Sequence, residues 1–228
     1  MEAIILAGGF GTRLREMVPD LPKPMAPIAG RPFLEILLQS LSHKGFTRVI
    51  LSLGFMATKI SDYFGDRFAG MDLAYVVEDT PLGTGGAVRL GLSICEESHV
   101  FTFNGDTFLD LEVGEIERLW QNNGHPIIVG RQVSDTARYG RLLTQDNYVA
   151  GFTEKGVGGP GLINAGCYVF DRRQLDCFRL NEMFSLESEF LSNLVVQTEV
   201  DVFVTEGLFI DIGIPSDYTL AQTLLADL

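Results

Sequence analysis

The chain has 228 residues, 46% of them hydrophobic, enough for the full buried core of a single domain spanning 1–228. Its formal net charge of −13 excludes a general nucleic-acid binder, because phosphate-backbone affinity rests on many lysines and arginines. No apolar run approaches the ~18 residues of a membrane span, and the first strand leads into a glycine loop rather than a secretion signal, so a cytoplasmic protein with no membrane partner is expected.

The first element is a strand over 2–7, whose end at Leu6 and Ala7 is followed by Gly8, Gly9 and Gly11. Such glycines let successive backbone N–H groups curl around phosphate oxygens. Arg13 offers a forked set of donors to a polyphosphate, and Lys23, set between Pro22 and Pro24, offers a compact charge. A dinucleotide fingerprint starting at Gly9 would need a glycine where Leu14 stands, and no glycine continues into a Walker Gly-Lys-Ser/Thr. A plain tight turn after a strand is the alternative for the glycines alone.

Strands follow at 48–53, 72–77, 99–103, 126–133 and 163–170. Helical faces lie between them: Phe33, Leu34, Leu37, Leu38 and Leu41; then Ile60 with Phe64; then Val88, Leu92 and Cys95. A last helical pattern runs from Ser216 to about Ala226, with no appended domain after it. This alternation predicts an α/β fold, a Rossmann-like, mainly parallel central sheet flanked by helices. The stretch 139–170 is broken by Gly140, Asp146-Asn147 and GVGGPG, and reads as a small antiparallel sheet on the substrate side. Cys95, Cys167 and Cys177 show no CxxC spacing, which fits a reducing compartment, and Cys95 and Cys167 read as small core residues. His43, His99 and His125 lack metal-ligand spacing, so zinc is not expected.

GGFGTRL followed by PKPMAPIAGRPFLE resembles the signature of the sugar-1-phosphate nucleotidyltransferases. The resemblance continues in the same order through PLGTGGAV, FNGD, FTEKG, INAGCYVF and FIDIGIPSDY. It implies that the partners are a nucleoside triphosphate and a sugar 1-phosphate, and that Mg²⁺ is the cofactor. It also implies that Arg13 and Lys23 hold the triphosphate, with Leu6 to Thr12 forming the nucleotide loop. Gly83 and Thr84 resemble the base-side loop, where missing side chains, including those of Gly85 and Gly86, let the base lie against the backbone. A helix N-terminus capped by Thr84 is the bland alternative. A homo-oligomer is compatible with all of this.

Asp106 follows an apolar strand through Asn104-Gly105, at the edge where ligands collect in open α/β sheets. Asp211 sits before Gly213 at a second strand end. Either aspartate alone reads as a turn or helix cap; the resemblance makes the pair a Mg²⁺ site, with Asp106 catalytic beside Arg13 and Lys23. Asp110 has no such support and reads as a turn or capping residue. The resemblance also places Asn104, Gly140, Glu154, Lys155 and Asn164 on the sugar-phosphate side, with Lys155 on the phosphate and Glu154 on sugar hydroxyls. A surface ion-paired hairpin is the alternative for Glu154-Lys155.

Guanine presents adjacent N1–H and amino donors that one carboxylate accepts, and Glu78 or Asp79 can supply it, so GTP is favoured. Within the family, the resemblance implies a guanylyltransferase acting on a D-glycero-α-D-manno-heptose 1-phosphate. Mannose 1-phosphate, or a uridylyl transfer to N-acetylmuramate 1-phosphate, are the alternatives. A non-catalytic nucleotide-sugar-binding subunit would be expected to lack one of Arg13, Lys23, Asp106 or Asp211, and all four are present.

Overall fold

A computed structural model of the chain describes residues 1–9, 11, 14 and 17–228; Thr12 and Arg13 lie outside the described residues. The chain starts with β1 (Glu2–Leu6), passes a 3-10 turn at Lys23–Met25, and continues through β2 (Pro27–Ile28), β3 (Arg31–Pro32) and α1 (Phe33–His43). Next come β4 (Arg48–Leu53), α2 (Ala57–Phe64), β5 (Arg67–Phe68), β6 (Met71–Val77), α3 (Gly83–Leu92), β7 (His99–Asn104), β8 (Thr107–Leu109) and α4 (Val113–Asn123). The second half holds β9 (Ile127–Val133), β10 (Leu142–Gln145), β11 (Tyr148–Phe152), β12 (Gly161–Asp171), a π-helical turn at Leu186–Leu191, α5 (Ser192–Gln197), β13 (Asp201–Thr205), β14 (Phe209–Asp211) and α6 (Pro215–Leu224).

Near-continuous apolar runs such as EAIIL and RVILSL mark strands covered on both faces. They lie side by side in a ten-stranded sheet ordered β10-β11-β13-β9-β12-β7-β1-β4-β6-β5. β7, β1, β4 and β6 are parallel neighbours, with Leu6 level with Ser52 on one side and Asn104 on the other. Successive side chains point to opposite faces of a strand. Ala3 and Ile5 therefore join a core with α1, α2, α4 and α6 residues such as Leu37, Ile60, Ile116 and Ala221. Ile4 joins the other core, with Val88 and Leu92 of α3 and Leu186, Phe190 and Leu194 beyond β12. The result is a three-layer sandwich with the sheet in the middle.

β12 runs antiparallel to both β7 and β9, and β13 pairs in parallel with β9. This relocates part of the expectation for 139–170. Its antiparallel strands are present, but β10 and β11 extend the edge of the main sheet and β12 lies inside it. Length explains the difference: the eleven residues of β12 reach the centre of the molecule and pair on both sides. Two small separate antiparallel sheets do exist, β2 with β3 and β8 with β14. Helix α3 stops at Leu92, so Cys95 lies beyond it, buried, where burial pushes its thiol up to about 12. Cys167 is fully buried in β12, and burial likewise raises its thiol.

Candidate active site

The parallel strands direct their carboxyl ends to one edge of the sheet, and a cavity of about 600 Å³ opens there. Leu6, Ala7, Gly8, Gly9 and Gly11 line it from the end of β1, and Asn104, Gly105 and Asp106 from the end of β7. Glu78 and Asp79 reach it after β6, and Gly83 and Thr84 at the start of α3.

Lys23 is the cation of this cavity among the described lining residues. Pro22 holds an extended backbone just before it (φ −65°, ψ 145°), and the glycine loop lies against its stem: Gly11 has φ +57°, and a Cβ there would sit 2.8 Å from Lys23 Cβ. The Lys23 side chain is only 9% exposed, and its ammonium donates to Asp106 Oδ2 at 2.5 Å and lies 4.0 Å from Asp211 Oδ1. Although the two aspartates are far apart in sequence, a short ribbon joins them. β14 pairs with β8 so that Asp211 faces Thr107, and the Ile212 N–H donates to the Asp106 carbonyl at 2.9 Å. Asp211 Oδ1 also accepts the Gly213 N–H at 2.6 Å. Burial, and then the charge of Asp106, push the Asp211 carboxyl above its usual range, while Lys23, Gly213 N–H and Arg138 pull it back. Arg138, 3.9 Å from Asp211 and hydrogen-bonded to Asp217 at 2.6 Å, was not singled out by sequence. Its motif, RYGRL, was visible, but nothing in it indicates which cation faces the aspartate.

On the base side, Glu78 Oε2 accepts the Leu82 N–H at 2.8 Å, and a Cβ on Gly8 would stand 2.9 Å from Oε1. Burial raises the Glu78 carboxyl, and the Leu82 N–H partly offsets this. The glycines of GTGG need a correction. Gly83 and Thr84 do line the cavity, but a Cβ on Gly85 would strike the Phe184 ring and one on Gly86 the Glu182 carbonyl. Those two glycines admit the Glu182–Leu186 segment against α3, not a base. Nor does Thr84 cap the helix, because the N-cap is Leu82. Thr84 Oγ1 instead accepts the Leu186 N–H at 2.9 Å and donates to Glu187 Oε2 at 2.7 Å.

Of the expected sugar-side residues, Asn104 lines the cavity, and Gly140, Glu154, Lys155 and Asn164 do not. Glu154 and Lys155 are exposed on the connection from β11 to β12, and no ion pair joins them. A Cβ on Gly140 (φ +76°) would press on the Thr153 carbonyl, so that turn lies directly against the same connection. Asn164 stands at a register shift in β12, where Oδ1 accepts the Gly166 N–H at 3.0 Å and Nδ2 donates to the Tyr168 hydroxyl at 2.8 Å. Gly166 in turn abuts the Asn104 side chain. Of the flanking residues, Tyr139 packs edge-on against Phe209, and Arg141 donates to Thr136 Oγ1 and the Gly158 carbonyl. Asp110 accepts from Lys44 at 2.6 Å, outside the cavity. Glu187, which does line the cavity, was missed entirely.

Comparison with known proteins places this geometry. The profile of the nucleotidyl transferase family matches residues 2–227. The chain belongs to that family. This nucleotidyl transferase is 40% identical to a D-glycero-alpha-D-manno-heptose 1-phosphate guanylyltransferase from Aneurinibacillus thermoaerophilus, over 97% of each chain. It is 38% identical to the protein of the same description from Campylobacter jejuni, over 96% of this chain and 97% of the relative. The crystal structure of HddC from Yersinia pseudotuberculosis complexed with GMP-PN superposes with a TM-score of 0.86 at 37% identity, covering 97% of each chain. Among the described residues, no helix of the nucleotidyl transferase is long and apolar enough to cross a membrane.

Proposed function

We propose that the protein transfers the guanylyl group of GTP to D-glycero-α-D-manno-heptose 1-phosphate and releases pyrophosphate. The observation that carries this reading is the meeting of Lys23, Asp106 and Asp211 at the strand ends, beside a glycine loop that can cradle phosphates. The similarity to two heptose 1-phosphate guanylyltransferases over nearly their whole length supports the choice of base and sugar.

The reaction brings two anions together, so positioning and charge neutralisation supply most of the rate. A phosphate oxygen of the sugar 1-phosphate attacks the α-phosphorus of GTP in line, and pyrophosphate leaves from the opposite side. In our reading the backbone of Gly8, Gly9 and Gly11, with Thr12, Arg13 and Lys23, holds the triphosphate through attack. Glu78 accepts the two guanine donors, Gly83 and Thr84 wall the base side, and Leu6 and Ala7 form the floor. Asn104, Gly140, Glu154, Lys155 and Asn164 serve the sugar phosphate, with Lys155 as its cation.

The carboxylates also fit a divalent metal. Asp106 and Asp211 already share one cation between them, and burial and then the charge of Asp106 raise the Asp211 carboxyl, which a further cation would offset. No group of three His, Cys, Asp or Glu that could hold an ion occurs among the described residues, so phosphate and water oxygens would complete the shell, in the manner usual for magnesium. When bound there, Mg²⁺ supplies charge for the α-phosphate and the incoming phosphate. A cytoplasmic location is part of the same reading, consistent with three free cysteines.

Pyrophosphate release, measured with each of four nucleoside triphosphates plus Mg²⁺ against a panel of sugar 1-phosphates, tests the proposal. Turnover is expected with GTP and the heptose. Turnover with mannose 1-phosphate but not the heptose would overturn the choice of sugar, and silence with every pair would overturn the reading.

A further inference from the structure

Glu187 enters the cavity from a part of the chain that no motif marked. It stands on the π-helical turn at Leu186–Leu191, just after the Glu182–Phe184 stretch that the glycines of α3 allow to dock closely. Its Oε2 is occupied, accepting Thr84 Oγ1–H at 2.7 Å and Ser185 Oγ–H at 3.2 Å. Its Oε1 has no partner among the described residues, although the residue lines the cavity. An ionised carboxylate is a pure acceptor, so the free oxygen calls for a donor.

Two features of its surroundings point from Glu187 toward the Asn104 side of the cavity. The negative charge of Glu187 acts on the buried Tyr168 hydroxyl, adding to the burial that keeps it protonated, and this same hydroxyl accepts from Asn164. Asn164 and Gly166 connect onward to Asn104 at the cavity wall. Glu187 is thus continuous with the Asn104 wall, whereas the acid suited to the base, Glu78, is anchored against Gly8 and Leu82. Asn164 Oδ1 and Nδ2 are each engaged within the protein and Asn164 does not line the cavity, whereas Glu187 does.

We propose that Glu187 Oε1 is the specificity-determining acceptor for hydroxyls of the sugar 1-phosphate, held in aim by the Thr84 and Ser185 hydroxyls. The proposal rests on the guanylyltransferase reading and names a sugar contact that reading lacks. Glu187→Gln keeps the volume and leaves one oxygen for Thr84, so the other terminal atom changes from acceptor to donor. Steady-state kinetics with sugar 1-phosphate and GTP varied in turn tests it in the full chain. Glu187→Gln and Glu187→Ala should raise the sugar 1-phosphate KM about 10- to 100-fold, the worth of a hydrogen bond to a charged group, and leave the GTP KM at the parental value. A merely structural clasp between Glu187 and Thr84 would move both constants together or neither, and either result overturns the proposal. Retention of the GTP-induced rise in Tm shows that the variants fold. A parent that turns over no substrate pair removes the guanylyltransferase reading and this proposal with it. A parent that turns over, paired with variants of unchanged sugar KM, removes this proposal alone.

Discussion

Burial and the charge of Asp106 both disfavour an ionised Asp211, and Lys23, the Gly213 N–H and Arg138 only partly compensate. In a group whose carboxyl is raised on folding, the folded state holds its proton more tightly than the unfolded one, so the protein gains stability as pH falls through that window. Above it, the ionised carboxylate is a standing cost to stability. Asp211→Asn removes the charge yet keeps an oxygen for the Gly213 N–H. We expect its Tm at pH 7 to exceed the parent's while pyrophosphate release is lost. The difference should shrink as pH is lowered through the carboxylate range, where the parent takes up the same proton. Thermal melts across pH check this, and an equal or lower Tm at pH 7 would refute it. At this scale the sequence singled out Lys23, Asp106 and Glu78, all of which line the cavity, and also Glu154, Lys155 and Asn164, which do not. Asp211 lies 4.0 Å from the Lys23 ammonium. Glu187 carried no such mark, because its place depends on a docking between segments a hundred residues apart, roughly the spacing at which local pattern carries no information.

Docking of the Glu182–Leu186 segment on α3 sets Glu187 beside the cavity. A Cβ at Gly85 would overlap the Phe184 ring, which itself stacks on Phe178 at 3.8 Å and so has little room to yield. Gly85→Ala should therefore cost about 1–3 kcal/mol by overpacking, and it should raise the sugar 1-phosphate KM because Glu187 moves with that segment. Gly114→Ala, on α4 where the new Cβ meets nothing, serves as the comparison and should leave Tm level or slightly higher. Denaturant melts of the two variants decide the matter; equal stability would sink the packing account. Elements were legible according to length. The central strands β1, β4, β6, β7, β9 and β12 lie within two residues of their expected bounds, because long apolar runs have few other interpretations. β2, β3 and β5, with two residues each, and β8 and β14, with three, are too short to show a period. Yet the β8–β14 ribbon is what sets Asp211 against Asp106.

Across the whole molecule, the parallel block from β7 to β6 walls the cavity with its strand ends, and β12 runs antiparallel beside β7. The sheet's outer strand at one side, β5, is only two residues long and carries the exposed Arg67, a device that discourages edge-to-edge pairing. Because described residues from well-separated stretches of chain line the cavity, from Leu6 after β1 to Gly213 after β14, a ligand there should brace the whole fold. At a hundredfold excess over Kd a ligand adds about 2.7 kcal/mol, which for a chain of this size raises Tm by roughly 5–10 °C. GTP with Mg²⁺ should give that rise in a thermal melt and UTP a smaller one; an equal rise would contradict selection by Glu78. The ribbon from Asp106 to Asp211 also imposes a schedule on biosynthesis. A chain emerging from the ribosome completes β1, β4, β6 and β7 first, and with them the wall from Gly8 to Asp106. Asp211 is translated only after β9 to β13, so a nascent chain has this cavity wall well before it has the second carboxylate beside Lys23.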